Sequence, residues 1–400
     1  MLYRRMPKTG DNLSILGFGA MRLPVNGDGS IDEEQAIGQM RMAIDGGINY
    51  LDTAWTYHGG QSEVVVGKAL KDGYRQKVKI ADKLPSWSIK ASADMEVILE
   101  RQLAKLGVKT IDYYLLHALE GRSWDRLQSL AVIDFLEKAR AAGKIVNIGF
   151  SFHGSSEDFY RIVDSYDWAC CQIQYNFLDT RHQAGIAGLR YAAARDIGVV
   201  VMEPLRGGNL SRRQAPPAVE ALWQTAATTR SPAEWALRWV WNHPEVTVVL
   251  SGMNVDEHIV ENLAIAETAT ANSLAKTELD LIYRVADTYR QLMPIGCTGC
   301  QYCMPCPAGV DIASCFAIYN TAHMFNEPRE RTQYVYAMMN GGVRGNATSA
   351  SRCIECGQCL EHCPQRIAIP ERLKEVAAYC EGEGVVEKIR DQLAGAADTE

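Results

Sequence analysis

Apolar and polar positions alternate along residues 1–270 in two recurring patterns. One pattern is a short, nearly continuous apolar run, which is typical of a strand covered on both faces. The other is a longer amphipathic segment that favours a helix with one buried face. The apolar runs read LSILGFG, INYLD, KVKIADK, IDYYLLH, KIVNIGFS, WACCQIQYN, GVVVMEPL and VTVVLSG. They predict a series of strands separated by helices.

Each strand and the helix that follows it occupy about 30 residues, and eight such units predict a (β/α)8 TIM barrel. Glycines stand where several of these helices are expected to end, at Gly46, Gly107, Gly143 and Gly198. Glycine is favoured just after a helix because it accepts a left-handed backbone. An open doubly wound sheet is the alternative, but no G-x-G-x-x-G sequence opens a helix after the first strand.

The alternation stops near Leu292, where Cys, Gly and Pro become frequent. We therefore expect a domain boundary between Tyr289 and Cys297. The predicted domains are the barrel over residues 1–292, a small cysteine-rich domain over 293–380, and a partly disordered C-terminal helix or tail over 381–400. Within the second domain, residues 308–351 are polar with interspersed aromatic residues, and their end, NGGVRGNATSAS, predicts a loop.

Composition narrows the class of protein. Apolar residues make up 47% and charged residues 22% of the chain, which is ordinary for a globular protein. The net charge of −7 does not favour binding to nucleic acid or acidic lipid. No apolar run reaches the roughly 18 residues of a membrane helix, and no apolar segment follows the basic N-terminal residues as in a secretion signal. We expect a cytoplasmic protein that binds neither nucleic acid nor membrane.

Four chemically useful side chains stand at or just after the ends of three consecutive strands. Asp52, Lys83 and His117 close their strands, and Tyr57 follows Asp52 in the next loop. Taken singly, each is equally well explained as a cap, a surface charge or packing. In a barrel enzyme, however, reactive groups lie at this end of the strands.

Together these four side chains suit the reduction of a carbonyl group by hydride. The carbonyl oxygen must then take up a proton, and a phenol donates one more readily when a nearby ammonium lowers its pKa. The Asp52 carboxylate would keep the Lys83 ammonium charged, and the His117 imidazole would orient the carbonyl oxygen. The set therefore predicts carbonyl reduction, with Tyr57 as the acid.

The segment around Asp52 resembles a family signature. GINYLDTAWTYHGGQSEVVVGKAL is similar to the aldo-keto reductase signature of Gly, Asp-Thr-Ala and Tyr, followed by Ser-Glu and a Gly-Lys-Ala-Leu helix. The resemblance extends from LGFGAMRLP to VVLSGMNVDEHIVENL. It implies that Asp52, Tyr57, Lys83 and His117 form the catalytic tetrad. It also implies that NADP or NAD lies across the mouth of the barrel and exchanges hydride without a covalent intermediate.

The cofactor residues implied by this resemblance depart from the family pattern in places. Ser151 and Gln172 match residues that hold the nicotinamide carboxamide, whereas Phe152 stands where the family has Asn. The Lys-Ser pair that holds the 2′-phosphate of NADPH is replaced by Gly252 and Met253. Fewer charged donors remain for a phosphate dianion, so the preference between NADPH and NADH stays open.

Two further cofactor positions depart from the family pattern. Met202 replaces an aromatic residue that stacks on the nicotinamide, although a polarizable thioether can also cover a ring, and His258 replaces a phosphate-binding Arg. Arg22 and Arg206 are candidates for the lost charge, with a helix-cap or solvated role as the alternative. The implied cofactor contacts are Ala20, Met21, Arg22, Asp52, Ser151, Gln172, Met202, Pro204, Leu205, Gly252, His258, Glu261 and Asn262.

Ten of the twelve cysteines lie between Cys297 and Cys380. A disulfide framework is not expected in a chain without an export signal. The run from Cys353 to Cys363 has the spacing Cys-x2-Cys-x2-Cys-x3-Cys-Pro, which is the bacterial ferredoxin spacing for 4Fe–4S clusters. The run from Cys297 to Cys306 is one residue shorter before its Cys-Pro. These spacings predict a small two-cluster ferredoxin-like domain.

In two-cluster ferredoxins the fourth cysteine of each run binds the other cluster. The predicted ligand sets are Cys297, Cys300, Cys303 and Cys363 for one cluster, and Cys353, Cys356, Cys359 and Cys306 for the other. A single cluster and a structural zinc site are the alternatives, although zinc sites use paired Cys-x2-Cys hooks without a third cysteine at the same step. Cys315 and Cys380 are expected to be packed thiols, and Cys170 and Cys171 to belong to the sixth strand.

Over nearly its whole length the chain resembles an aldo-keto reductase joined to a two-cluster ferredoxin domain. We expect an NAD(P)H-dependent oxidoreductase acting on a small carbonyl compound or alcohol. The alternative is a ferredoxin-linked electron-transfer protein whose barrel binds another redox group or a redox partner. Each cluster carries one electron at a time, whereas nicotinamide transfers two electrons as hydride. Direct electron transfer from nicotinamide to a cluster would therefore need a one-electron intermediary such as a flavin. In a third interpretation the clusters are purely structural and hold the C-terminal tail against the barrel.

Overall fold

The structure is a computed structural model of the chain, and it describes residues 1–297, 303–326, 329–339, 347–363 and 365–389. The chain begins with an antiparallel hairpin of β1 (Tyr3–Arg5) and β2 (Asn12–Ser14). The strands that follow are β3 (Leu16–Gly19), β4 (Tyr50–Asp52), β5 (Lys79–Pro85), β6 (Ile111–Leu119), β7 (Ile145–Phe152), β8 (Cys170–Gln174), β9 (Gly198–Met202) and β10 (Val246–Ser251).

Strands β3 to β10 form a closed parallel barrel in chain order. The barrel closes where β10 pairs with β3, with Val249 opposite Leu16. Each strand coincides with one of the eight apolar runs of the sequence, and β5, β6 and β7 extend one or two residues past the end of theirs. The predicted (β/α)8 barrel is therefore confirmed, and the open-sheet alternative is wrong.

The interior of the barrel is filled by side chains from alternate strand positions, as expected from the two-residue period of a strand. Tyr50, Leu115 and Val248 belong to this buried cluster, together with Met6 from the loop of the β1–β2 hairpin. Met6 lies against the first residue of β9, because a Cβ atom at Gly198 would fall 1.8 Å from its Sδ. The hairpin, which the sequence analysis did not predict, thus fills the N-terminal end of the barrel.

The helices between Glu33 and Gln291 are α1 (Glu33–Asp45), α2 (Ser62–Ala69), α3 (Ser92–Leu106), α4 (Gly121–Ser129), α5 (Val132–Ala141), α6 (Ser156–Val163), α7 (Gly185–Ala193), α8 (Pro217–Trp223), α9 (Pro232–Trp241), α10 (Asp256–Ala266) and α11 (Lys276–Gln291). Local signals account for several of their ends. Asp32 caps α1 by accepting a hydrogen bond from the Gln35 amide. Gly107 ends α3 with a left-handed φ of 64°. No helix in the described residues is long and apolar enough to cross a membrane.

By its internal contacts the chain divides into two compact units. The first is Met1–Arg213 with Arg230–Leu279, and it contains the barrel strands. The second is Gln214–Thr229 with Asp280–Glu400. The boundaries predicted from composition, at 292/293 and 380/381, remain predictions.

The second unit has an apolar core built around a helix that the sequence analysis missed. Besides α8 and most of α11, this unit contains α12 (Ile312–Phe325), α13 (Arg329–Tyr334), α14 (Gln358–His362) and α15 (Ile369–Glu381). Phe316 of α12 is fully buried and shares this core with Leu373 and Val376 of α15. The polar stretch expected over residues 308–351 therefore contains a buried helix.

The two ends of this region are only partly described. Residues 340–346 of the predicted loop lie outside the described residues, and Ala350–Arg352 form one 3-10 turn. At the predicted tail, Val386 and Ile389 are buried against Val335, while residues 390–400 lie outside the described residues.

Candidate active site

Lys83 lies between two of the other groups predicted to be catalytic, Asp52 and Tyr57. Its ammonium donates hydrogen bonds to Asp52 Oδ1 at 2.6 Å, to the Thr53 carbonyl oxygen at 2.8 Å and to the Tyr57 hydroxyl at 3.3 Å. Asp52 ends β4, which pairs with β5, and Tyr57 opens the short turn that follows. Because neighbouring parallel strands end at the same face of the barrel, these side chains meet there.

Burial changes the proton affinities of this pair. The side chains of Lys83 and Asp52 are 0% and 3% exposed. Burial raises the pKa of the Asp52 carboxyl, and Lys83 opposes that rise. Burial by itself lowers the pKa of the Lys83 ammonium, but Asp52 and Tyr57 together outweigh it, so the pKa of Lys83 lies above its usual value. Lys83 is therefore a cation at neutral pH.

The Tyr57 phenol holds its proton more tightly than expected. Burial raises the pKa of Tyr57, and the Lys83 ammonium lowers it by less, so the net direction is upward. The predicted influence of Lys83 is present, but loss of solvent outweighs it. At neutral pH Tyr57 is thus a protonated acid beside a cation that stabilises its phenolate.

His117 completes the set from β6. Its ring lies 6.0 Å from that of Tyr57 and 5.0 Å from that of Trp87, measured between ring centroids. Burial, with a further contribution from Lys83, lowers the pKa of His117 well below its usual value. The imidazole is therefore neutral, and it keeps one N–H that can donate to a substrate oxygen.

Ser151 and Gln172 lie side by side in the β7–β8 ladder, where they are register partners. The Ser151 hydroxyl oxygen accepts from the Ala118 amide at 2.7 Å, which leaves its hydrogen free to donate. The Gln172 amide donates to Met202 Sδ at 3.7 Å, and its buried Oε1 has no partner among the described residues. One donor beside one orphaned acceptor fits a primary carboxamide such as that of nicotinamide. Phe152 is fully buried and supplies no such polar group.

The two arginines that the sequence left as phosphate candidates differ in their surroundings. Arg206 is held by Asp179, with 3.1 Å between Nε and Oδ2. Arg22 is exposed and has no ion-pair or hydrogen-bond partner in the described parts of the chain. Carbons of its side chain lie 3.2 to 3.5 Å from the Cβ position of Gly252, and its Nη2 lies 3.3 Å from that of Gly207. Arg22 therefore follows the loop after β10 towards the loop after β9, where its charge acts on Glu203 at longer range without forming an ion pair among the described residues.

The remaining predicted cofactor contacts are spread over the same loops. Asn262 donates to Ser251 Oγ at 3.1 Å, and Glu261 accepts a hydrogen bond from Ser231, so both hold local structure. Of the others, Met21, Gly252 and His258 are exposed, Leu205 is half-buried, and Ala20 and Pro204 are buried. Their contact with a cofactor remains a prediction.

Five of the predicted cluster ligands line one cavity in the second unit. The cavity measures about 230 Å³, and its sulfur-bearing lining residues include Cys303, Cys306, Cys353, Cys356 and Cys359. Burial raises the pKa of the Cys359 thiol, and electrostatic interaction with the neighbouring Cys353, Cys306 and Cys356 raises it further. Cys306 from the first run therefore faces the three cysteines of the second. A chamber with converging thiols fits a sulfur-ligated iron cluster.

The other described cysteines do not line this cavity. Cys297 and Cys363 are partly buried against the apolar core of the second unit, and Cys300 lies outside the described residues. In the described parts, no three or more Cys, His, Asp or Glu side chains surround a position for a single metal ion. Cys315 and Cys380 are buried thiols. The remaining pair, Cys170 and Cys171, begins β8.

Residues 15–280 match the aldo/keto reductase family, which is most of the chain and the whole barrel. The chain belongs to this family. Residues 296–368 of this aldo/keto reductase match a 4Fe-4S dicluster domain. The predicted combination of an oxidoreductase barrel with a ferredoxin-type domain is therefore confirmed.

Curated relatives agree with the family assignment. A probable aldo-keto reductase 1 from Glycine max is 26% identical, over 72% of this chain and 87% of that protein. An L-galactose dehydrogenase from Arabidopsis thaliana is also 26% identical, over 65% of this chain and 86% of that protein. Both are oxidoreductases by name, as this aldo/keto reductase is by family.

Solved structures resemble the barrel closely. The holo form of aldo-keto reductase AKR11C1 from Bacillus halodurans is 27% identical, has a TM-score of 0.60, and matches over 71% of this chain and 96% of its own. An aldo-keto reductase from Klebsiella pneumoniae in complex with NADPH is 25% identical, has a TM-score of 0.58, and matches over 72% and 96%.

Three buried polar residues beside Lys83 were not among the predicted site residues of this aldo/keto reductase, although Glu63 is the acidic residue of the Ser-Glu in the family signature. Glu63, Asp82 and Gln102 are all 0% exposed. A signal was present, because Asp82 is an acidic residue inside the apolar run KVKIADK. Acidic side chains are rarely buried without a partner. An acid at this position therefore predicts that neighbouring groups neutralise it.

Proposed function

We propose that the protein reduces an aldehyde or ketone at the C-terminal mouth of its barrel, or catalyses the reverse oxidation of an alcohol. The observation that carries this proposal is the Lys83 ammonium, 2.6 Å from Asp52 and 3.3 Å from the Tyr57 hydroxyl. A buried cation beside a protonated phenol is an arrangement that releases a proton when negative charge develops on a nearby oxygen.

Tyr57 is the proposed proton donor. Its raised pKa keeps the phenol protonated before reaction, and the Lys83 cation stabilises the phenolate that remains after the proton leaves. Asp52 keeps Lys83 charged and fixes its head group. The neutral His117 imidazole donates a hydrogen bond to the carbonyl oxygen, which orients the substrate and adds no second positive charge to the site.

A nicotinamide nucleotide is the proposed cofactor, and its reduced form supplies hydride to the carbonyl carbon. Ser151 and Gln172 would hold the carboxamide, since they offer the hydroxyl donor and the unpaired acceptor that this group requires. Arg22 is the proposed partner for a phosphate. A Klebsiella pneumoniae relative is described in complex with NADPH, which supports NADP over NAD.

We further propose two 4Fe–4S clusters in the domain of residues 293–380. One would be held by Cys353, Cys356, Cys359 and Cys306, which line one cavity together with Cys303 of the other predicted set. The other would be held by Cys297, Cys300, Cys303 and Cys363, by analogy of spacing. Such thiolates require reducing surroundings, and we therefore propose a cytoplasmic location.

The cluster count is tested by iron and acid-labile sulfide analysis of anaerobically purified protein. Two clusters predict eight iron atoms per chain, by the composition of the 4Fe–4S group. Cys306→Ser is expected to lower the iron content and alter the paramagnetic resonance signal of one cluster, while Cys380→Ala, in a buried thiol, leaves both unchanged. A full complement of iron in Cys306→Ser would refute the proposed crossing ligand.

Tyr57→Phe tests the reductase proposal. The variant removes only the hydroxyl group, so binding of NADPH is expected to persist while kcat for reduction of 4-nitrobenzaldehyde falls by a factor of about 100 or more. Tyr74→Phe is the matched control, because Tyr74 is a tyrosine that bonds Asp45 on the surface. Turnover within a fewfold of the parent protein in Tyr57→Phe would refute the role of Tyr57.

The dicluster domain also supports a second function, that of an electron-transfer protein linked to a ferredoxin-type redox partner. Hydride carries two electrons and each cluster accepts one, so this function needs a flavin or a similar intermediary. Flavin in the purified protein, together with bleaching of the clusters by NADPH, would favour it. Aldehyde reduction at full rate with the clusters chemically reduced would leave the clusters outside the catalytic path.

A further inference from the structure

The peptide of Lys83 is anchored on both sides by buried side chains. Its N–H donates to Asp82 Oδ1 at 2.8 Å, and its carbonyl oxygen accepts from the Gln102 amide at 3.0 Å. Lys83 points into the barrel, so Asp82, the adjacent residue, points to the opposite face of the sheet. The position of the ammonium therefore depends on a polar layer between β5 and the helices.

Glu63 of α2 ties this layer together. It accepts from the Gln102 amide at 3.1 Å and from the Lys105 ammonium at 2.8 Å. The Tyr114 hydroxyl donates to Gln102 Oε1 at 2.7 Å. That bond fixes the orientation of the amide, so that its N–H groups face Glu63 and the Lys83 carbonyl. Glu63 is thus a carboxylate paired with a cation at its outer end.

Asp82 forms no ion pair within the described residues, although the Lys83 ammonium acts on it at longer range. Its Oδ2 is buried, and as a carboxylate it has no hydrogen-bond partner in the described residues. The side chain hydrogen-bonds Glu63, and burial and the Glu63 charge raise the pKa of Asp82 well above its usual value. Two carboxylates in a buried layer repel each other, whereas a carboxylic acid beside a carboxylate shares its proton with it.

We propose that Asp82 is a protonated carboxylic acid that donates a hydrogen bond to Glu63, and that Asp82, Glu63 and Gln102 act together as positioning residues for Lys83. The importance of this role for turnover rests on the proposed function of Lys83. The arrangement holds the Lys83 peptide from both sides without placing a second negative charge near the ammonium. Asp52 then remains the carboxylate that sets the charge state of the site.

The protonation of Asp82 is tested first without activity. Carbon-13-labelled aspartate shifts the infrared carbonyl band of a protonated carboxylic acid, and we expect that labelled band in the parent protein at pH 7 and its loss in Asp82→Asn. An unchanged band in Asp82→Asn, or no protonated aspartate band in the parent, would overturn the proposal. This readout does not depend on the catalytic role of Lys83.

The positioning role is tested by comparing two substitutions of Asp82. Asparagine mimics the neutral acid, since its carbonyl can accept from the Lys83 amide and its NH2 group can donate to Glu63. Asp82→Asn is therefore expected to keep kcat within about threefold, while Asp82→Ala lowers kcat about tenfold or more, since small displacements of a catalytic group are costly. The dissociation constant for NADPH, read by fluorescence titration, should stay within twofold in both.

Two outcomes separate this inference from the proposed reductase function. If Asp82→Asn loses as much kcat as Asp82→Ala, the neutral-acid role is wrong whatever Tyr57 does. If Tyr57→Phe retains its turnover, the tetrad is wrong while the infrared result for Asp82 stands. Should Asp82→Ala fail to fold, Gln102→Ala removes the anchor on the carbonyl side, and unchanged kcat in that variant would overturn the positioning role.

Discussion

The Lys83 ammonium lies 2.6 Å from the Asp52 carboxylate, and both side chains are almost completely closed off from solvent. Burying an ion pair of this kind costs both side chains their free energy of hydration. Their mutual attraction and further hydrogen bonds offset that cost. The Thr53 carbonyl and the Tyr57 hydroxyl are the further partners of the ammonium. The pair is therefore essential once it is buried, because either partner alone would be an uncompensated charge.

Asp52→Asn is expected to lower the free energy of unfolding by about 3 kcal/mol, because it leaves the Lys83 ammonium buried without its counter-charge. The pKa of Lys83 should then fall, since burial lowers it and Asp52 is the first group that raises it. Urea unfolding measures the loss of stability. Asp45→Asn is the control, since its pair with Lys77 is exposed and solvent screens the attraction between the two charges. Equal losses in the two variants would contradict the argument.

His117 should make the protein less stable in acid. Its pKa is lowered in the folded state, while the unfolded value is about 6.5. Below about pH 6.5 the unfolded chain binds the extra proton, so the stability due to neutral His117 is complete above that pH and is lost as the pH falls. The difference in unfolding free energy between the parent protein and His117→Asn should therefore change between pH 8 and pH 5.

Three other histidines also have lowered pKa values because burial disfavours their charged forms, and they are present in both proteins: His58, His153 and His243. The contributions of His58 and His243 to the loss of stability in acid cancel in the difference. His153 interacts electrostatically with His117, so its contribution is part of the predicted change. A difference that stays constant over the whole pH range would show that His117 titrates normally in the fold.

Arg22, rather than Arg206, should determine the affinity for NADPH. Arg22→Gln removes a charge that has no partner among the described residues, and the dissociation constant for NADPH is expected to rise about tenfold, or about 1.4 kcal/mol. NADH should be affected less, because it lacks the 2′-phosphate. Arg206→Gln is the matched control, since Arg206 is already paired with Asp179. An equal effect of both substitutions in fluorescence titrations would refute the distinction.

Gly67 is expected to be required for the contact between α2 and α3. A Cβ atom there would lie 2.6 Å from the Leu106 carbonyl oxygen and 2.8 Å from that of Lys105, and backbone atoms cannot move aside cheaply. Gly67→Ala should lower the free energy of unfolding by about 1 to 3 kcal/mol. In Gly38→Ala the new methyl meets nothing within 4 Å on α1, so that variant should gain about 0.5 to 1 kcal/mol. Equal urea midpoints would contradict the prediction.

The sequence predicted the barrel because the signals for it are local. Each strand is a nearly continuous apolar run, and Asp52, Lys83 and His117 stand at or near the ends of such runs. Parallel strands of similar length end at one face, so the meeting of these side chains follows from their place in the chain. The cysteine spacing was equally local, and it identified the ferredoxin-type domain through the motif alone.

The sequence analysis missed elements whose character depends on what covers them. Residues 308–351 looked polar as a whole, yet Phe316 is fully buried in the core of the second unit. The β1–β2 hairpin is too short to show an alternating pattern, and Met6 has a role only because the barrel leaves an end for it to fill. Asp82 is conspicuous in the sequence as an acid within an apolar run, but its neighbour Glu63 comes from another part of the chain.

The sequence by itself therefore determined the order of the strands, the place of the candidate reactive groups at the strand ends and the ferredoxin-type spacing of the cysteines, since these follow from local periodicity and spacing. Tertiary structure alone decided which charges are paired and which are not. It tied Arg206 to Asp179 and left Arg22 without a partner among the described residues. It also raised the pKa of Tyr57, because the effect of burial exceeds the opposing effect of the Lys83 ammonium. The physical reason is that desolvation and ion pairing depend on residues far apart in the chain, which only the closed barrel brings together.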